Sequence, residues 1–326
     1  MQNKKTPLQY AMVTLKGMAM GAADVVPGVS GGTIAFITGI YEELITTIDK
    51  LSLSFFKYWK KEGFIPTFKR FNLGFLCCLF LGIFISVLSL AKLISYLLDA
   101  YPVMLWAFFF GLILASIWLI GKQIMKWNIG VYVMGILGIA ISYYITVAEP
   151  LDGSASYGFI FISGFLAIIA MILPGISGAF ILLLLGSYAL VLGTVEDFVD
   201  GIAQGNYRQV AFALSKLIVF MIGCVIGLKS FSKALTYLYV NYKNLTLALL
   251  TGFMIGALNK VWPWKEVLSY RTNSEGHEVP LLEKSILPQN FDGDPQILSV
   301  VILAVFGFLL IFIIERLAIK KPLDVH

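Results

Sequence analysis

The sequence predicts an all-α polytopic membrane protein built as an inverted repeat, each half holding one broken or re-entrant helical hairpin and three transmembrane helices. Three observations lead there. First, 59% of the 326 residues are apolar, only 13% are charged, and the mean hydropathy is +0.86. An average soluble domain carries about 25% charge, so a water-soluble enzyme or binding module is excluded, and so is disorder. Second, six stretches are long and apolar enough to cross a bilayer, and two more are interrupted at Pro-Gly. Third, the interrupted stretches resemble each other, and so do the helices after them.

The six uninterrupted stretches are 73–91, 102–121, 129–148, 209–228, 244–262 and 297–315. The interrupted regions are 10–48, broken around Pro27, and 157–192, broken around Pro174. Proline has no N–H and disfavours helix in the residue before it, so each region should stop there and restart as a second short helix. Whether re-entrant or spanning, each region crosses an even number of times. With the N-terminus inside, 17 of the 24 Lys and Arg fall on the cytoplasmic side and six outside, Lys216 lying within a span. Such a bias places both termini in the cytoplasm. No signal-peptide cleavage pattern follows the first apolar run. The outer segment 263–296, entered through Trp262 and Trp264, reads as either a lid or a loop.

Shifting the chain by 147 superposes Gly17 on Gly164, Pro27 on Pro174, Gly28 on Gly175, Ser30 on Ser177, Gly31 on Gly178, Gly39 on Gly186 and Tyr41 on Tyr188. A shift of 141 superposes Gly82 on Gly223, Lys92 on Lys233, Tyr96 on Tyr237, Tyr101 on Tyr242 and Gly111 on Gly252. The halves are 1–150 and 151–326. Each crosses an odd number of times, so the second is expected upside down. Inverted halves with broken helices point to a carrier whose site lies where the breaks meet.

Each break should present a helix N-terminus with unpaired N–H groups and a partial positive charge. Gly28, Gly31, Gly32, Gly175 and Gly178 admit a ligand close to the backbone, while Ser30, Thr33 and Ser177 add hydroxyls. Opposed tips of this kind suit an anion, phosphate in particular. Asp24 beside the first tip is a candidate for gating or coupling, with Met171 in its place in the second half. Glu42, read as ending the second short helix, and Lys16 and Lys216 complete the ionisable candidates, since any such group in a span is a functional candidate. Lys16 reads as an interfacial anchor, and Lys216 as either a phosphate contact or a snorkelling side chain. Pro27 and Pro174 are structural breaks.

Enzymatic readings lack parts. Gly28-Val29-Ser30-Gly31 and Gly175-Ile176-Ser177-Gly178 spell G-x-S-G, but such a serine needs a base. The two histidines, His277 and His326, lie outside the spans, leaving a Ser–Lys dyad with Lys216 as the one arrangement open. No His, Cys and carboxylate cluster has metal-ligand spacing, Cys77, Cys78 and Cys224 read as buried free thiols, and no cofactor or nucleic-acid partner is indicated.

The run Gly21-Ala22-Ala23-Asp24-Val25-Val26-Pro27-Gly28-Val29-Ser30-Gly31-Gly32-Thr33, followed by Gly39-Ile40-Tyr41-Glu42, resembles the bacterial and archaeal polyprenyl-phosphate transporter family, as does Leu173-Pro174-Gly175-Ile176-Ser177-Gly178. The resemblance runs from about residue 10 to 316. It implies a protein of the cytoplasmic membrane that returns undecaprenyl phosphate, the lipid carrier of envelope polymers, from the outer to the inner leaflet. The residues by themselves leave open a small-anion channel or exchanger using the same helix tips.

Overall fold

The computed structural model describes residues 6–24, 30–52, 54–272 and 278–319. It is a mostly helical, multi-pass membrane protein. The first interrupted region forms α1 (Pro7–Asp24), α2 (Gly31–Ile37) and α3 (Tyr41–Lys50), and the second forms α9 (Tyr157–Ile172), α10 (Gly178–Leu184) and α11 (Tyr188–Ala203). Between them come α4 (Ser54–Glu62), α5 (Phe64–Arg70), α6 (Leu73–Ala100), α7 (Pro102–Gly121) and α8 (Ile129–Val147). After them come α12 (Tyr207–Asn241), α13 (Lys243–Ala257) and α14 (Ile297–Ile319).

Local chemistry sets many of these boundaries. Thr6 and Gln9 form a reciprocal cap at the start of α1, Gln9 N–H donating to Thr6 Oγ1 (3.3 Å) and Thr6 N–H to Gln9 Oε1 (2.8 Å), which satisfies amides that have no helical partner. Asn128 accepts from Val131 N–H and Asn206 from Gln209 N–H in the same way.

Each interrupted region differs from the expected pair of short helices: it is three helices, a long one, a seven-residue one and a third. The second break falls at Gly39 and Gly186, whose φ angles are +71° and +62°. That left-handed conformation ends a helix cheaply only at glycine. The axis turns by 103° between α10 and α11. A consequence is that Glu42 and Glu43 stand in the first turn of α3, where carboxylates suit the helix dipole, and do not end the preceding helix. Four spans also differ in length: α6 runs on to Ala100, where Pro102 follows, and α14 to Ile319. α12 runs on to Asn241 because no proline or glycine stops it after Leu228, while α13 ends at Ala257, ahead of Pro263.

The helices pack chiefly as four pairs, α1 with α6, α9 with α12, α7 with α14 and α8 with α13. The first two pairs use glycine crossings that recur. A side chain on Gly17 would overlap the Leu79 carbonyl, and one on Gly82 the Thr14 carbonyl. In the other pair Gly164 meets the Phe220 carbonyl and Gly223 the Phe161 carbonyl. Every residue of the second set stands 147 or 141 positions after its counterpart. The remaining pairs behave alike: Gly111 and Gly307 close on the carbonyls of Ala304 and Phe108, Gly252 and Gly138 on those of Gly135 and Leu249. These contacts pair α7 with a helix from beyond residue 150 and α13 with one from before it.

α7 and α13 occupy the interior, with Ala107, Ile113, Leu247, Leu250 and Met254 almost fully buried. α6, α8 and α12 turn large apolar side chains outward, among them Phe84, Leu88, Ile136, Met221 and Val225, as lipid-facing helices do. The segment 263–296 is neither plain loop nor helix. It holds an antiparallel hairpin, β1 (Lys265–Thr272) with β2 (Glu278–Ser285), an addition to the all-α expectation. The hairpin is tied down at its base: Trp262 Nε1 donates to the Ile286 carbonyl, Trp264 Nε1 to the Pro295 carbonyl (both 2.8 Å), and Ser285 Oγ to the Asn259 carbonyl (3.0 Å).

Candidate functional site

The two breaks meet. Ser30 caps α2 by accepting from Gly32 N–H (3.1 Å), and its hydroxyl donates across to the Leu173 carbonyl (3.1 Å) in the other break. Thr33 Oγ1 accepts from Gly175 N–H at 2.9 Å. Gly32 lies so near the Ile172 carbonyl that a Cβ there would approach it to 2.6 Å. Thus residues more than 140 positions apart, in two different hairpins, share one small polar joint. Ser30 and Thr33 are 1% exposed and Ser177 is 8% exposed, so the joint is closed to solvent in this conformation.

The donors of the first tip already have partners. Gly31 N–H donates to Asp24 Oδ1 at 2.6 Å, Gly32 N–H to Ser30 Oγ, and Thr33 N–H to the Ser30 carbonyl. An open row of free amides, as read from the sequence, would be costly in so dry a place. The second tip is less tightly capped. Ser177 Oγ accepts from Phe180 N–H at 3.5 Å, Gly178 is half-buried, and Ala179 is exposed. Pro174 and Gly175 are buried there. Pro27 and Gly28 lie outside the described residues.

Asp24 and Lys16 bracket α2. Eight residues apart on α1 they are separated by about 12 Å, close to the length of the seven-residue α2. Asp24 accepts from the first N–H of α2, and Lys16 Nζ donates to the carbonyl of Thr38 at its C-terminal end (2.6 Å). Each charge has the sign that the adjoining helix end favours. Lys16 is therefore not simply an interfacial anchor, and the carboxylate of Asp24 addresses backbone.

Glu42 is exposed at the start of α3 and Glu43 accepts from Asn72 Nδ2 (2.7 Å), so neither reaches the joint. Lys216 is also elsewhere. Its ammonium lies 4.4 Å from the Phe212 ring centre, and it borders a crevice with Ile160, Leu190, Thr194 and Phe220. Among the described residues no hydrogen bond joins Lys216 to Ser30 or Ser177, which removes the geometry a Ser–Lys dyad needs. Among the described residues, too, no group of three His, Cys, Asp or Glu side chains could hold a metal.

One feature of the site had only a faint sequence signal. A half-open cavity of about 580 Å³ lies against the first tip, bordered by residues of α1, α2, α6, α7 and α14. Ala22 and Ala23, next to Asp24 in sequence, line it together with Ile34, Leu105, Phe109 and Leu303. The lining is apolar apart from Thr38 and Tyr101. Small residues at Ala19, Ala22 and Ala23 leave the room, and that alanine face was the available hint.

Comparison with known proteins bears on what such a site serves. The chain is 50% identical over 285 residues to the polyprenyl-phosphate transporter of Vibrio cholerae serotype O1, covering 87% of this chain and 88% of that protein. It is 35% identical over 261 residues to the polyprenyl-phosphate transporter of Staphylococcus aureus, covering 76% and 85%. No solved structure matches it. Residues 20–279, which include the described parts of both breaks and most of their supporting helices, match the undecaprenyl phosphate translocase-like family. The chain belongs to the undecaprenyl phosphate translocase-like family.

Proposed function

We propose that the chain carries polyprenyl phosphate, specifically undecaprenyl phosphate, from the outer to the inner leaflet of the bacterial cytoplasmic membrane for reuse in envelope polymer synthesis. The observation that carries this reading is the polar joint between the two breaks with an apolar chamber against it. A phosphate in hydrocarbon loses its hydration at a cost of several kcal/mol or more. Backbone amides and hydroxyls of Ser30, Gly31, Gly32, Thr33, Gly175, Ser177 and Gly178, with Gly28, replace that hydration halfway, while isoprene units stay in the chamber or in lipid. To enter, the phosphate displaces Asp24 from the Gly31 N–H and separates Ser30 from Leu173, which makes Asp24 the gate of the joint.

The residues 1–150 and 151–326 act as inverted halves that exchange their last helices, α8 and α14. Support comes from glycine contacts recurring at the offsets of the sequence repeat. Both termini lie in the cytoplasm in this reading. α4 and α5 then rest on the inner surface, pairing exposed Phe56, Trp59, Phe64 and Ile65 with Lys57, Lys60, Lys61, Lys69 and Arg70, as interfacial helices do. The chain does no chemistry on its cargo and needs no cofactor.

The test is transport in proteoliposomes, comparing labelled polyprenyl phosphate with chloride. The chain is expected to move the lipid and not chloride; movement of chloride alone would assign a small-anion pathway. Gly31→Asp sets a second carboxylate against Asp24, whose oxygen lies 2.5 Å from where a Cβ would stand, and Gly178→Asp charges the other tip. Each should reduce lipid transport to background while the protein remains in the membrane. Normal transport in both removes the phosphate from the tips.

A further inference from the structure

The base of the outer hairpin buries more positive than negative charge. Lys260 follows α13, Lys265 opens β1, and Glu283 lies on β2. Both ammoniums approach the same carboxylate oxygen, Glu283 Oε2, Lys260 at 3.1 Å and Lys265 at 3.4 Å. The side chains are only 12%, 7% and 16% exposed. Strand alternation explains the grouping, since Glu266 and Lys284, the flanking pair, face outward and are exposed. Each lysine also faces an aromatic ring. Lys265 Nζ lies 3.6 Å from the centre of the Trp106 ring of α7, and Lys260 Nζ 4.7 Å from that of Phe180, in the first turn of α10.

One carboxylate cannot neutralise two ammoniums, and a buried excess charge is costly unless something pairs with it. Ring faces attract cations but carry no net charge. Each ammonium has three donors and gives one of them to Glu283. We propose that Lys260 and Lys265 form a binding site for a phosphate monoester group, whose place the Glu283 carboxylate takes in this conformation. A phosphate monoester brings close to two negative charges and three acceptor oxygens at neutral pH, which matches two ammoniums where a carboxylate does not. Bound there, the phosphate stands beside Phe180, at the threshold of the second tip, while Glu283 turns out to solvent. The choice of a lipid phosphate as ligand rests on the carrier reading above; the anion site rests on the three charges alone.

Calorimetry on the full-length chain in detergent tests this with farnesyl phosphate, farnesol and inorganic phosphate as probes. Lys260→Gln and Lys265→Gln should each weaken farnesyl phosphate binding at least about tenfold. Lys260→Arg and Lys265→Arg should keep most of it, and Glu283→Gln should tighten it several-fold by removing the competing anion. Unchanged affinity in both Gln variants overturns the site, and so does farnesol binding as well as farnesyl phosphate. If the Gln variants do not fold, Glu283→Gln decides: weaker binding in that variant overturns the proposal. Inorganic phosphate binding as tightly as farnesyl phosphate upholds the anion site and makes free phosphate its ligand. Lysine-dependent binding without lipid transport in proteoliposomes upholds the site and defeats the carrier reading. Transport without lysine-dependent binding defeats this site alone.

Discussion

Asp24 and Lys265 show how the same kind of group, an ionisable side chain out of water, is read differently from sequence and from structure. Asp24 is conspicuous in the sequence because a carboxylate within an apolar run, three residues before Pro27, is a functional candidate. Its partner is not, since the Gly31 N–H lies across a break whose path no periodicity describes. In the sequence Lys265 is simply one basic residue of the outer segment 263–296. In the fold, burial lowers its pKa to about 8, and Lys260 adds to that lowering, while Glu283 offsets part of it by attraction. Burial acts the other way on Glu283, but the two lysines outweigh it and hold that carboxyl below its usual range. The sign of the pH dependence follows. Below about pH 8 Lys265 is an ammonium, and above it the charge is lost; Glu283 stays ionised throughout. A phosphate monoester, with a second pKa of about 6, is already mostly dianionic at pH 7 and gains little charge above it. The affinity for farnesyl phosphate should therefore fall as pH rises through about 8 in the native chain and lose that step in Lys265→Gln, as titrations at pH 7 and 9 would measure.

At the scale of elements, composition and breakers located α6, α7, α8 and α12, the four helices among the described residues long and apolar enough to cross a bilayer, while α13 and the apolar part of α14 are shorter than the six-span expectation. The helices it divided wrongly were the ones ended by glycine. Gly39 and Gly186 were aligned in the repeat, but a glycine inside an apolar run has two meanings, a left-handed stop or a close crossing, and the sequence does not choose between them. Gly17, Gly82, Gly164 and Gly223 have the second meaning. Valine at Gly82 must push α6 from α1, and valine at Gly223 must push α12 from α9 by the same contact. Overpacking of this kind costs about 1–3 kcal/mol. The two variants should lower the melting temperature in detergent by similar amounts, whereas valine at Gly193, which has open space around it, should not. Unequal lesions at Gly82 and Gly223 would argue that the two crossings do different jobs.

For the molecule as a whole, the transport reading requires the joint between the breaks to open. Cysteines at Ser30 and Leu173, in a chain with Cys77, Cys78 and Cys224 replaced, should permit a short crosslink because the native groups are in hydrogen-bond contact. Crosslinked protein should lose lipid transport and recover it when a cleavable linker is reduced. Transport that persists through a complete crosslink would place the phosphate path elsewhere. The interlocked pairing of α7 with α14 and α8 with α13 sets how such opening is shared. Both of these pairs tie a helix from before residue 150 to one from beyond it, so in the transport reading a movement of one half would displace a span of the other.

The amino-acid sequence by itself determined that the chain lives in a membrane, where its long apolar helices begin, that its segments repeat, and where Pro-Gly interrupts an apolar run. Those properties depend on local composition and on covalent limits of proline, which travel with the chain. Only the tertiary structure decided that Ser30 would reach Leu173, that Asp24 at the end of α1 would close the tip of α2, that small alanines would leave a chamber, and that two lysines would share one carboxylate. Contacts of that kind depend on which surfaces meet after the helices pack, and packing is a property of pairs of elements that no single stretch of residues contains.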